Sequence, residues 1–190
     1  MEFHVYENAR AACEAAGVLI AAQITRKGDS VLGLATGSTP IPAYEMLVQW
    51  YDRGVIDFDR VRTFNLDEYV GIDHKNPLSY HAFMQEHLFS KVNLRKENVH
   101  LPSGNAAADV EAYDKAIHAA GGIDIQLLGI GNIMAAKCVV LVATGESKAK
   151  AVYDTIRGPI TPRVPASVLQ LHPCCVILTD REAGKLMLEE

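Results

Sequence analysis

A chain of 190 residues and 20.7 kDa, 49% hydrophobic and 22% charged, has the composition of a folded globular protein and lies far from the low-hydrophobicity, high-charge signature of disorder. The 18 Lys and Arg against 23 Asp and Glu leave a formal charge of −5, the wrong sign for a protein that lives on nucleic acid or an anionic membrane. No apolar run approaches the roughly 20 residues of a membrane span and Met1-Glu2-Phe3-His4 lacks the basic flank of a signal peptide, so a cytoplasmic protein is expected, with any anionic ligand held by a local site.

No linker-like stretch or internal repeat divides the chain, and residues 1–190 are expected to form one domain. Residues 8–26 read as an amphipathic helix that Asn8 can cap. After the Gly28-Asp29 turn, Ser30 to Ala35 is a short apolar run of the kind found in a strand buried on both faces. Thr36-Gly37-Ser38-Thr39-Pro40 then leads into a helix from Ile41 to Tyr51, with Pro40 near its first turn. The alternation continues with a strand at Val61–Asn65, helices around Ser79–Phe89 and Ala107–Ala120, and strands at Ile123–Leu128 and Cys138–Ala143. A helix at Glu146–Arg157, a short one at Pro165–Leu171, a strand at Cys175–Leu178 and a last helix from Arg181 complete the pattern. Apolar strands alternating with helices predict an α/β fold with a parallel sheet covered on both faces. One connection stands out. Ile130 to Lys137 is too short for a crossover between parallel strands, which takes about a dozen residues or more, so either the flanking strands are not neighbours or a segment is absent.

Cys13, Cys138, Cys174 and Cys175 show no CxxC pair and read as buried free thiols. The seven histidines form no HExxH and no Cys/His cluster with zinc spacing, so no metal is expected.

Three stretches carry chemistry. Gly33 to Pro40 lacks the Lys of a P-loop and the spacing of GxGxxG, yet Gly37 admits a close ligand, Ser38 and Thr39 add hydroxyls, and the next helix turns its N–H groups and positive dipole end to the same place. The same residues would suit a phosphate-sized anion site or a capped strand-to-helix turn. Asp67 and Glu68 follow the strand at 61–65 and so leave the same sheet edge, where a carboxylate near an anion would have a raised pKa suited to proton transfer; a helix or turn cap is the competing reading. Lys148, in Gly145-Glu146-Ser147-Lys148, opposes the helix dipole unless an anion lies beside it, or else lays its stem over apolar surface.

Taken together, Gly33 to Pro40, Thr63 to Gly71, Ser79 to Met84, Leu127 to Gly131, Gly145 to Ala149 and Val164 to Pro173 resemble the glucosamine-6-phosphate deaminase family, most of all its short bacterial form. The resemblance implies a Rossmann-like, open, mainly parallel sheet, no metal or organic cofactor, and conversion of glucosamine 6-phosphate and water to fructose 6-phosphate and ammonia in amino-sugar catabolism. It makes Asp67 the proton acceptor that moves a proton from C2 to C1, places Thr36, Gly37, Ser38 and Thr39 around the phosphate, and gives Lys148 the phosphate's charge to neutralise. The expected partner is a small-molecule sugar phosphate, with no nucleic acid and no membrane; a homo-oligomer is left open.

The chain also departs from the family. There the Gly-Ile-Gly strand end is followed by a block of the kind His-Asn-Gly-His-Ile-Gly-Phe-Asn-Glu-Pro and several tens of residues more, whereas Gly129-Ile130-Gly131 here runs straight into Asn132-Ile133-Met134. An internal deletion at the 131/132 junction is the expectation, and it removes the ring-opening histidine, its partner and a glutamate. Two further readings stand beside the enzyme: a catalytically impaired sugar-phosphate-binding relative, and a 6-phosphogluconolactonase, against which Asn65-Leu66-Asp67-Glu68-Tyr69 weighs.

Overall fold

The computed structural model describes residues 1–102, 109–129 and 136–189, and the 131/132 junction lies outside them. In chain order the elements are β1 (Glu2–Tyr6), α1 (Ala9–Arg26), β2 (Val31–Leu34), α2 (Ile41–Asp52), β3 (Arg62–Asn65), α3 (Tyr80–His87), β4 (Val99–His100), α4 (Asp109–Ala119), β5 (Ile125–Leu128), β6 (Val139–Ala143), α5 (Ala149–Ile156), β7 (Cys175–Asp180) and α6 (Arg181–Leu188). The strands form one sheet in the order β1-β7-β6-β5-β2-β3-β4, with every pairing parallel. This is the expected α/β, Rossmann-like open sheet.

Runs without polar alternation occupy the centre. Every residue of β2, β5 and β6 is buried, because helices cover both faces of the sheet. Leu32, Leu34, Leu127, Val140 and Val142 pack toward α1 and α2, with Ile20, Ile24, Tyr44 and Leu47 among their partners. Their sequence neighbours point the other way, Leu128, Val139 and Leu141 toward α5 and α6, and Val31 and Phe64 toward α4. Asn8 caps α1 as expected, accepting from the Ala11 N–H at 2.9 Å. The sequence pattern misses β1, an edge strand with no apolar run, and β4, which has two residues.

Three expectations change. The two strands beside the short connection are direct parallel neighbours, Gln126 opposite Val139 and Leu128 opposite Leu141, so of the two explanations for that connection the first is excluded. Residues Glu146–Lys148 form a 3₁₀ turn and α5 starts only at Ala149, while Pro165–Leu171 is 3₁₀ rather than α-helical. Cys13 and Cys175 are buried free thiols, but Cys138 and Cys174 are joined as a disulfide. The register explains it: Val139 lies opposite Cys175, so the residues just before them stand side by side with Cα atoms 4.7 Å apart.

Two packing details hold the centre. Gly33 lies opposite Gln126, whose fully buried side chain occupies the space a Cβ at position 33 would need. At the amino ends of the strands the Asp124 carboxylate, 5% exposed, accepts from Lys27 Nζ at 2.6 Å, Lys137 Nζ at 2.7 Å and the Val31 N–H at 2.9 Å. Burial alone would raise the Asp124 pKa, but the hydrogen bonds from Lys137, Lys27 and Val31 outweigh it and the pKa is lowered.

Gly33→Ala is expected to destabilise by about 2 kcal/mol through overpacking, read as a melting temperature lower by roughly 4–8 °C. Because its folded pKa lies below its unfolded one, the contribution of Asp124 is present above the ordinary aspartate range and lost as pH falls through the lowered value. Asp124→Asn is expected to lose about 2 kcal/mol at pH 7 and to flatten the acidic part of the stability curve, measured by urea unfolding across pH 2–7.

Candidate active site at the carboxyl ends of the central strands

From β2 the chain winds outward to β3 and β4, whereas from β5 it winds the opposite way through β6 and β7, with β1 at the far edge. Connections that leave neighbouring strands in opposite directions open a crevice at the carboxyl ends, here between β2 and β5. Ala35, Thr36, Thr39 and Pro40 wall it on one side and Leu127, Leu128 and Gly129 on the other, over a floor of Cys13 and Ala16. Burial, then the charges of Asp180 and Glu14, push the Cys13 thiol up to about 11, so at neutral pH it is an uncharged floor residue.

The loop after β2 is built to stay open. Gly37 has φ +106° with nothing within 4 Å of where a Cβ would stand, and Ser38 is exposed. Neither Ser38 nor Thr39 caps α2: the N-cap is Pro40, without a side-chain hydrogen bond. The capped-turn reading of this loop therefore falls. One expectation is modified as well. Pro42 carries no N–H and the Ala43 N–H donates to the Pro40 carbonyl at 3.0 Å, so α2 contributes its dipole rather than a row of N–H groups, and the hydroxyls of Thr36, Ser38 and Thr39 are the side-chain donors of the loop. The fully buried Tyr44 anchors the loop from below, its hydroxyl donating to the Ala35 carbonyl at 2.5 Å.

The adjacent carboxylates after β3 separate in role. Glu68 Oε1 accepts from the Tyr80 N–H at 2.9 Å and the Tyr69 N–H at 3.0 Å, while Oε2 accepts from the His81 N–H at 3.0 Å. It caps α3 together with Ser79, whose hydroxyl accepts from the Ala82 N–H at 2.9 Å. Asp67 stays exposed. Leu34 is paired with Asn65, so the loops that begin at 35 and 66 leave the sheet side by side, and the buried Asn65 Nδ2 donates to the Leu34 carbonyl at 3.3 Å. Beside them the Tyr80 ring packs on that of Tyr69 with centroids 4.7 Å apart and planes tilted by 36°. Nothing in the residue types of Tyr69 and Tyr80 marks them; the only cue is that Tyr80 follows a helix-capping Ser.

After β6, Gly145 takes φ +86° and donates its N–H to both oxygens of Asp180, at 3.1 and 3.0 Å. Asp180 also caps α6 by accepting from the Ala183 N–H at 2.8 Å, and Glu146 is paired with Lys185. Lys148 is exposed at the start of α5 and forms no ion pair with any described residue. Thr144 shares a second surface groove with Ser38, Thr39 and Arg10. The fold thus gathers Thr36, Ser38, Thr39 and Thr144 around one edge and, through the pairing of Leu34 with Asn65, starts the Asp67 loop beside it; neither Asp67 nor Lys148 lines the crevice itself.

Comparison with known proteins agrees with this geometry. The family model for glucosamine-6-phosphate isomerases/6-phosphogluconolactonase matches residues 6–132. A protein of Clostridium botulinum named glucosamine-6-phosphate deaminase is 40% identical over 242 residues, covering 98% of this chain and 97% of its own length. One of Thermoanaerobacter pseudethanolicus with the same name is 39% identical over 230 residues, covering 92% and 90%. Among solved structures, a monomeric glucosamine-6-phosphate deaminase superposes with a TM-score of 0.90 at 29% identity, covering 98% of this chain and all of its own. A 6-phosphogluconolactonase from Leishmania guyanensis shares the fold, with a TM-score of 0.78 at 19% identity and 97% of each chain covered. No helix among the described residues is long and apolar enough to cross a membrane. On the family model and on relatives similar along nearly all of its length, the chain belongs to the glucosamine-6-phosphate isomerase/6-phosphogluconolactonase family.

Proposed function

We propose that the chain acts on glucosamine 6-phosphate, converting it with water to fructose 6-phosphate and ammonia in amino-sugar catabolism. The observation that carries the reading is the pairing of Leu34 with Asn65, which sends a hydroxyl-rich loop and an exposed carboxylate out of adjacent strands at one sheet edge. Thr36, Gly37, Ser38 and Thr39 cradle the phosphate, and Lys148 neutralises it across the groove that Thr144 shares with Ser38 and Thr39. With the phosphate held there, Asp67 takes the proton from C2 of the opened sugar, leaving an enolamine, and returns it at C1; water then hydrolyses the C2 imine to the ketone and releases ammonia. The residues need no metal for these steps. The setting that goes with this reading is cytoplasmic, and the partner is a sugar phosphate rather than nucleic acid.

Ring opening has no assigned residue in this chain. An alignment of 242 residues against a chain of 190 leaves at least 52 positions without a counterpart. We place them at the 131/132 junction of what we take to be one sugar-phosphate domain. This mismatch favours a second reading, in which the chain binds the sugar phosphate without turning it over.

Asp67→Asn is expected to lower ammonia release from glucosamine 6-phosphate by at least a hundredfold, and activity within threefold of the wild type would remove Asp67 from the mechanism. The melting temperature of the wild type is expected to rise with saturating glucosamine 6-phosphate and that of Lys148→Ala to rise less than half as far. Absence of any ligand-dependent rise overturns the phosphate site, whereas a rise without ammonia release selects the second reading.

A further inference from the structure

We propose that Glu68 is a positioning residue: by tying the residue next to Asp67 to the first turn of α3, it fixes where the Asp67 carboxylate stands over the opened sugar. The inference deepens the function proposed above and rests on it. Residues 67–69 lie outside any helix or strand, so neither a strand ladder nor a helical turn holds them. The Glu68 side chain does so instead. Its Oε1 accepts from the Tyr69 N–H at 3.0 Å and the Tyr80 N–H at 2.9 Å, and its Oε2 from the His81 N–H at 3.0 Å. One carboxylate thereby reaches 13 residues along the chain and closes the excursion from the end of β3 to the start of α3.

The other side of Asp67 is fixed as well. Asn65, buried at the end of β3, donates from Nδ2 to the Leu34 carbonyl at 3.3 Å, and its own carbonyl accepts from the Tyr113 hydroxyl at 2.8 Å. Asp67 is therefore carried on a short exposed span between a residue held in the sheet and a residue held on a helix end. Consecutive Cα atoms stand about 3.8 Å apart across a trans peptide, so a shift of residue 68 passes directly to residue 67. Three charge-assisted hydrogen bonds, two of them from the amino end of α3, make Glu68 a stiff tie and leave neither of its oxygens spare for a substrate proton. Proton abstraction depends on such placement, since a displacement of about 1 Å at a reacting group can lower the rate by about 10².

Two acyclic probes, which need no ring opening, separate the phosphate from the base. Glucitol 6-phosphate engages the phosphate loop, whereas 2-amino-2-deoxyglucitol 6-phosphate adds an ammonium at C2, where the Asp67 carboxylate acts. Isothermal titration of the full chain is expected to show the amino compound bound about tenfold more tightly by the wild type, and the two bound alike by Asp67→Asn. Glu68→Gln sets an NH2 group against a backbone N–H and is expected to keep less than about a third of that preference, with glucitol 6-phosphate bound within about twofold of the wild type. Ser79→Ala removes the other cap of α3 without touching residue 68 and is expected to keep more than about half of the preference while lowering the melting temperature. A Glu68→Gln variant that keeps more than a third, a change in its glucitol 6-phosphate binding beyond twofold, or a Ser79→Ala variant that keeps less than half each overturn the proposal. A wild type that binds neither probe refutes the phosphate site, and one that binds both alike refutes Asp67 as the base; in either case the function proposed above fails and the tie falls with it. Should Glu68→Gln not fold, Glu68→Asp, which keeps the charge at the helix end but is one methylene too short to hold all three N–H groups, takes its place with the same expectations.

Discussion

The constraint on which the rest depends is the parallel register at the centre of the sheet, where Gly33 of β2 lies between Phe64 of β3 and Gln126 of β5. The missing side chain at Gly33 leaves the space that Gln126 fills. Close approach of β2 and β5 matters beyond stability, because the winding of the chain reverses between these two strands and the crevice opens there. Both candidate elements, the loop at 36–39 and Asp67, inherit their placement from this register. Side-chain alternation on the strands then sends one set of apolar residues to α1 and α2 and the other to α4, α5 and α6, so neither face is left uncovered.

A chain with a net charge of −5 must clear its acidic groups from an anion site. The carboxylates nearest the site edge are occupied by helix ends and turns: Glu68 at the start of α3, Asp180 at α6 and Gly145, and Glu146 on Lys185. Asp124, the most enclosed of the paired acids, lies at the opposite ends of the strands between Lys27 and Lys137. Asp67 is exposed at the edge. The same allocation leaves Lys148 without an ion pair among the described residues.

The connection between β5 and β6 is short for two neighbouring parallel strands. These strands pair directly, with Lys137 donating its N–H to the Ile123 carbonyl at 2.9 Å. Strand pairing is local to the backbone, so the register of β5 and β6 does not depend on the length of the segment that joins them.

Much of this was legible in the residues alone, for a physical reason. Strands buried on both faces are mostly apolar, so Val31–Leu34, Ile125–Leu128 with its one polar residue Gln126, and Val139–Ala143 declare themselves, and Asn8 announces its cap from three residues away. The motifs from Thr36 to Thr39 and from Asn65 to Tyr69 were equally visible as loops at strand ends. What only the tertiary structure decided lies in pairs far apart in the chain. Glu68 accepts from N–H groups 12 and 13 residues on and so becomes a cap. Cys138 meets Cys174 across 36 residues because β6 and β7 are in register. Propensity and periodicity act within a few residues, so they fix the elements; which side chains then face one another is set by sheet register and by the direction each crossover takes, and neither is written in any one segment.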